Sequence, residues 1–219
     1  MLRRLAAEFI ATAFLLLAVV GSGIMAERLS GGNAAIALLA NTLATGAALA
    51  ALILAFAPIS GAHMNPVVSL MSAVNRELTW RDAVGYWAMQ FAGAAVGVAV
   101  ANVMFDLPVF FASQKVRTGT GQWIGEFMAT FGLVGVIIAV SRRHKPFPTA
   151  LAVAAWITAA YWFTSSTSFA NPAVTVARTL SDTFAGIRPS DAPAFIAAQI
   201  VGGVAATLVF RWLVPVEEK

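Results

Sequence analysis

Cysteine is absent from the 219 residues, histidine occurs twice, and only 11% of the chain is charged. Without cysteine there is no disulfide framework, no thiolate metal site and no cysteine nucleophile. Two histidines leave little from which to build a metal centre, and neither a metal nor a cofactor is expected. The shortage of charge is as informative. Soluble domains average about 25% charged and about 45–50% apolar residues, whereas 59% of this chain is apolar. A mean hydropathy of +0.80 describes a chain unable to hide its apolar surface in one core. Six membrane-spanning helices of about 20 residues would take roughly 120 positions and leave about 100 for connections. That excludes a large extramembrane domain, a soluble enzyme and a nucleic-acid module.

Six apolar segments read as spans: Leu5–Ala26, Ala34–Ala57, Trp80–Met104, Gln122–Val140, Thr149–Phe163 and Ala194–Val214. The breaks between them carry turn and charge signals such as Gly31-Gly32, Asn75-Arg76-Glu77 and the stretch from Ser181 to Pro193. Leu5 to Met25 is long enough to span, so it is read as the first helix rather than a cleavable signal. An even number of spans puts both termini on one side of the bilayer. On that side fall Arg3, Arg4, Arg76, Arg81, Arg142, Arg143, Lys145, Arg211 and Lys219. On the other fall Arg28, Lys115, Arg117, Arg178 and Arg188. The short loops and tails predict an inner, plasma-type membrane, and the basic excess predicts cytoplasmic termini. It also explains the isoelectric point of about 10.1 without a nucleic-acid partner.

The chain repeats itself. Glu8-Phe9-Ile10-Ala11-Thr12 recurs as Glu126-Phe127-Met128-Ala129-Thr130, an offset of 118. Asn65-Pro66-Val67-Val68 recurs as Asn171-Pro172-Ala173-Val174 at 106, and Ala88-x-Gln90-x-x-Gly93 as Ala197-x-Gln199-x-x-Gly202 at 109. Three landmarks stand in the same order in two halves, approximately residues 1–105 and 120–219 of a single channel domain. Each half holds three spans, an odd number, so the second is inverted relative to the first.

Both Asn-Pro pairs follow a polar lead-in of small residues and precede eight or so helix-compatible positions. Asn is a preferred N-cap, and Pro suits the first helical position, where its missing N–H costs nothing. Each segment therefore predicts an extended stretch and then a half-helix reaching about 15 Å, half a bilayer. Inverted symmetry brings the two helix N-termini together near the midplane. Irregular backbone at that depth is tolerated where it lines a cavity or is buried in protein. Asn65 and Asn171 would present amide donors there, and two positive dipole ends would repel cations and protons.

These residues resemble the aquaporin, or major intrinsic protein, family, whose hallmark is a paired Asn-Pro-Ala. Ser60-Gly-Ala-His-Met-Asn-Pro-Val, Ser168-Phe-Ala-Asn-Pro-Ala, the Glu-Phe-x-Ala-Thr repeats and the Gln-bearing third and sixth spans carry the likeness along essentially the whole chain. The resemblance implies an all-α membrane fold of six transmembrane helices and two re-entrant half-helices in an inverted repeat, with one pore per subunit of a homotetramer. It implies passive passage of water or small neutral solutes with exclusion of ions. Asn65, Pro66, Val67, Asn171, Pro172 and Ala173 would form the pore motifs.

Two departures stand out. The first motif ends in Val67, and the position after the second, commonly Arg in the family, is Val174. By spacing, the remaining constriction positions fall near Thr45, Ala159 and Ser168, and a slip of one or two residues near Ala159 would bring in Thr158 or Tyr161. Thr, Ala, Ser and Val predict a wide, uncharged filter that admits glycerol-like polyols, urea or metalloid hydroxides such as arsenous acid. Even larger methylated or weakly anionic species fit such an opening.

Arg178 lies four positions beyond Val174 on the same helical face. Two readings are open: a charge in the outer vestibule, or a partner for Asp182 and the end of the half-helix. Arg188 reads as a loop charge. Glu8, Glu126, Gln90, Gln199 and His63 read as structural polar groups. The resemblance gives the two carboxylates the task of accepting from backbone N–H groups of the re-entrant segments. A secondary transporter remains the alternative, with Glu8 and Glu126 as the only intramembrane acids to couple an ion. An intramembrane hydrolase would need a Ser/His/Asp or His-rich set that the spans lack.

Overall fold

The computed structural model describes residues 1–142 and 146–215. Arg143, His144, Lys145 and Lys219, three of which entered the orientation count, lie outside the described residues. Eight α-helices follow in order: α1 (Leu2–Leu29), α2 (Ala34–Ser60), α3 (Pro66–Val74), α4 (Trp80–Met104), α5 (Thr120–Ser141), α6 (Pro146–Phe163), α7 (Pro172–Arg178) and α8 (Ala192–Leu213). Five of these, α1, α2, α4, α5 and α8, are long and apolar enough to cross a bilayer, and α6 is a shorter apolar helix. The protein is thus an all-helical, multi-pass membrane fold, as the six apolar segments predict.

Helix ends differ modestly from the expected spans. α2 continues through Pro58 to Ser60 instead of stopping at Ala57. A proline this close to the end costs little more than one hydrogen bond at the carbonyl four residues earlier. Gly61, at φ 90°, ends the helix, its N–H donating to the Ala57 carbonyl at 3.0 Å. α3 and α7 are the two expected half-helices, of 9 and 7 residues. Each begins where Asn-Pro dictates. Asn65 is extended and accepts from the Val67 N–H at 2.9 Å, and Asn171 accepts from Ala173 at 2.9 Å and Val174 at 3.3 Å.

The two halves pack alike: α1 against α2 and α4, α5 against α6 and α8. The half-helices then cross over, α7 lying against α4 and α1, and α3 against α8. Close approach at the helix pairs is bought with glycine. A Cβ on Gly202 would stand 2.5 Å from the Phe127 carbonyl oxygen, and one on Gly93 would collide with that of Phe9. These are the same contact in the two halves, since small residues let helix backbones meet inside a membrane.

The Asn-Pro-Val departure has a packing reason. Val67 is buried with Met71, Val134 and Ala206, and its Cγ1 occupies the space that a Cβ on Gly203 would need. Gly203 thus pairs with the larger Val67. We expect Gly203→Ala to destabilise the protein by about 1–3 kcal/mol through overpacking, and Val67→Ala to recover most of that loss in the double variant. Thermal unfolding in detergent measures both; strictly additive shifts would refute the pairing.

Candidate functional site

Between the half-helices the chain takes an unusual path. Ala62 and Met64 have φ of 49° and 48°, and Ser168 and Ala170 have φ of 51° and 50°. Left-handed backbone costs a non-glycine residue about 1–3 kcal/mol, so something must hold these four. Two buried carboxylates do. Glu8 accepts from the N–H groups of His63 (2.9 Å) and Met64 (2.8 Å), from Ser60 Oγ (2.6 Å) and from Gln90 Nε2 (2.8 Å). Glu126 accepts from Phe169 and Ala170 N–H, both at 2.8 Å, and from Gln199 Nε2 at 2.6 Å. The glutamines brace the half-helices too: Gln90 donates to Ser69 Oγ at 3.0 Å and Gln199 to Thr175 Oγ1 at 2.9 Å. His63 Nδ1 contacts Ser69 Oγ at 3.0 Å while its ring sits edge-on to Tyr86.

The same strained stretches lock the halves together. Asn65 Nδ2 donates to the Ala170 carbonyl and Asn171 Nδ2 to the Met64 carbonyl, each at 2.7 Å. One proton of each amide is therefore a structural clamp across the midplane. A primary amide carries two N–H donors, and both asparagines line the central cavity.

That cavity holds about 460 Å³ and runs from Glu77, Ser141 and Thr149 at one end to Thr45, Tyr161 and Arg178 at the other. Leu15, Val19, Leu49, Ile53, Leu133, Ile137, Val153 and Ile157 make an apolar wall. Asn65 and Asn171 bring amide groups to the same lining, which Ser168 joins. The cavity is amphipathic along its length.

Thr45, Ser168 and Val174 line this cavity where the spacing puts them, but Ala159 does not. Ala159 is exposed on the outside of α6. The residues of α6 that reach the cavity are Thr149, Val153, Ile157 and Tyr161, a run spaced by four; Ala159 falls midway between two of them, on the opposite face of a 3.6-residue helix. Thr158 is turned against Gly46 and donates to the Ala154 carbonyl. Tyr161 lines the cavity beside Thr45, its hydroxyl donating to Thr45 Oγ1 at 3.3 Å.

The end with Thr45 and Tyr161 is also charged. Arg178 is 1% exposed and lines the cavity. It does not pair with Asp182, which accepts instead from Ser113 Oγ and the Gln114 N–H. Its Nε donates to the Ala185 carbonyl, and its guanidinium lies 3.4 Å above the Phe169 ring centroid. Arg117 also lies over the Phe169 ring, 5.1 Å from its centroid, and donates to the carbonyls of Gly186 (2.7 Å) and Ser166 (3.1 Å). Burial holds Arg117 down to about 10, and burial with the neighbouring Arg117 and Arg178 charges brings Lys115 to about 8. Arg188 is a loop charge paired with Asp191 at 2.8 Å. Sequence reasoning puts Ala159 first and holds Tyr161 as the alternative of a register slip, which the four-residue periodicity favours; it does not single out Arg117, for which no local pattern exists.

Comparison with known proteins agrees with this geometry. The profile described as Major intrinsic protein matches residues 1–164. The chain is 53% identical over 211 residues to Aquaglyceroporin AqpS of Rhizobium meliloti (strain 1021), covering 96% of this chain and 90% of that one. It is 35% identical over 147 residues to Aquaporin NIP1-4 of Oryza sativa subsp. japonica, about half of whose length (52%) is covered. The X-ray structure of the aquaglyceroporin from Plasmodium falciparum superposes with a TM-score of 0.76 over 98% of this chain and 97% of that one. At 20% identity it speaks for the fold. Paired Asn-Pro half-helices facing across an amphipathic cavity and these relatives together place the chain in the major intrinsic protein family, as a membrane channel and not an enzyme.

Proposed function

We propose that this channel passes uncharged hydroxylated solutes, glycerol-like polyols first, with urea, metalloid hydroxides and water, through a filter of Thr45, Tyr161, Ser168 and Val174. The observation that carries the reading is the division of the cavity wall. A polyol has one hydroxylated edge and one C–H edge. The first finds the amide groups of Asn65 and Asn171, which line the cavity. The second lies along Leu15, Ile53, Leu133 and Ile157. Val174 leaves room that a long basic side chain would fill. The opposed positive ends of α3 and α7 discourage cations and protons at the midplane.

The remaining elements of this reading are a single channel domain of two inverted repeats, about 1–105 and 120–219, a homotetramer, and an inner plasma membrane with cytoplasmic termini. Stopped-flow light scattering on proteoliposomes tests the function. Glycerol and urea permeabilities at least about tenfold above protein-free vesicles are expected, linear in concentration and independent of ion gradients. Vesicles that pass water alone would refute the polyol reading, and saturable, gradient-coupled uptake would replace the channel with a transporter.

A further inference from the structure

Residues lining the cavity fall into pairs related by the internal repeat, and most pairs are chemically alike. Asn65 and Asn171 stand 106 positions apart, as do Val68 and Val174; Leu15 and Leu133 stand 118 apart. The pair Ser72 and Arg178, also 106 apart, is not alike. At the inner end Ser72 Oγ donates to the Glu77 carboxylate at 3.2 Å. At the outer end the equivalent position carries a buried guanidinium.

That guanidinium is not neutralised. Among the described residues the ion pairs are Arg4–Asp82 and Arg188–Asp191. Three acids near this end have partners other than Arg178: Glu126 the N–H groups of Phe169 and Ala170 and Gln199, Asp182 Ser113 and Gln114, Asp191 Arg188 and the Arg117 N–H. Nη1 of Arg178 is buried without a partner although the residue lines the cavity. A buried charged donor left open normally costs stability, so a group left this way on a pore wall is poised for what passes.

We propose that Arg178 is the specificity-determining cation of this pore, standing one helical turn outside the position held by Val174. From there it offers a donor to the oxygens of an entering solute and sets the barrier to cations, while the narrowest ring stays uncharged and wide. Phe169 and the Ala185 carbonyl fix its plane. Arg117, whose guanidinium also lies over the Phe169 ring, acts as a positioning residue.

The inference rests on the channel reading, and one set of vesicles separates the two. Glycerol flux and potassium leak are measured together for the native protein, Arg178→Gln, Arg178→Lys and the double variant Val174→Arg with Arg178→Gln. Arg178→Gln is expected to lower glycerol flux and to raise potassium leak at least about tenfold relative to that flux. Arg178→Lys, which keeps the charge but loses the planar donor set, stays tight to potassium. The double variant, with the charge moved one turn inward, is tight again. Native-level tightness in Arg178→Gln overturns the proposal. So does failure of both single variants to insert as native-sized assemblies, which would make Arg178 a structural residue. Absence of glycerol flux in the native protein would overturn the channel reading itself.

Discussion

Val174→Arg closes the pore to glycerol and urea, by at least about tenfold, and leaves water flux within about twofold of native. Val174 is 5% exposed and lines the cavity in the first turn of α7, between the Asn171 cap and the Arg178 guanidinium. Arginine there reaches across toward Tyr161 and Thr45, which are already joined by a hydrogen bond. It narrows the ring and adds a second positive charge one turn from the first. Water needs only a single-file path and two hydrogen bonds at a time, so it tolerates the narrowing. A three-carbon polyol does not. Stopped-flow permeabilities for water, glycerol and urea on the same vesicles decide the matter; equal losses for all three, or none, would remove Val174 from the filter.

Much of this site is legible in the sequence because it is written twice. One Asn-Pro pair is a helix start; two at an offset of 106, with Glu8 and Glu126 at 118 and Gln90 and Gln199 at 109, already specify opposed half-helices and their braces. The structure adds what those residues do for one another. Each asparagine donates to the carbonyl just before its counterpart, Met64 or Ala170, and both of these residues are left-handed. Cross-bonds of this kind depend on backbone turned away from any local preference, so no propensity announces them.

The misplacement of Ala159 has a different origin. Counting from the asparagines fixes a position along α6 but not its angle about the helix axis, and an error of two residues rotates a side chain by about 200°. Thr149, Val153, Ile157 and Tyr161 show the correct face. Arg117 lies beyond such reasoning altogether. It comes from the irregular connection between α4 and α5, and the route of that segment is set by contacts with Phe184, Gly186 and Asp191.

Replacing either carboxylate brace with alanine is expected to remove more stability than any other single change named here. Glu126→Ala strands the buried N–H groups of Phe169 and Ala170 and the Gln199 amide. Unmet buried donors cost about 1–3 kcal/mol each, so the loss is at least about 3 kcal/mol before the left-handed residues relax. Glu8→Ala loses a fourth donor, Ser60 Oγ, and is expected to be at least as damaging. Glutamine keeps one acceptor oxygen but turns an NH₂ group toward a backbone N–H, so Glu126→Gln falls between native and alanine in thermal midpoint. Solute flux follows stability in this series, because the lead-in that Glu126 holds carries Ser168 and the carbonyl clamped by Asn65. A proton-coupling carboxylate would behave otherwise. Glutamine would then abolish gradient-driven uptake while leaving the midpoint untouched, and that result would overturn the structural assignment of Glu126.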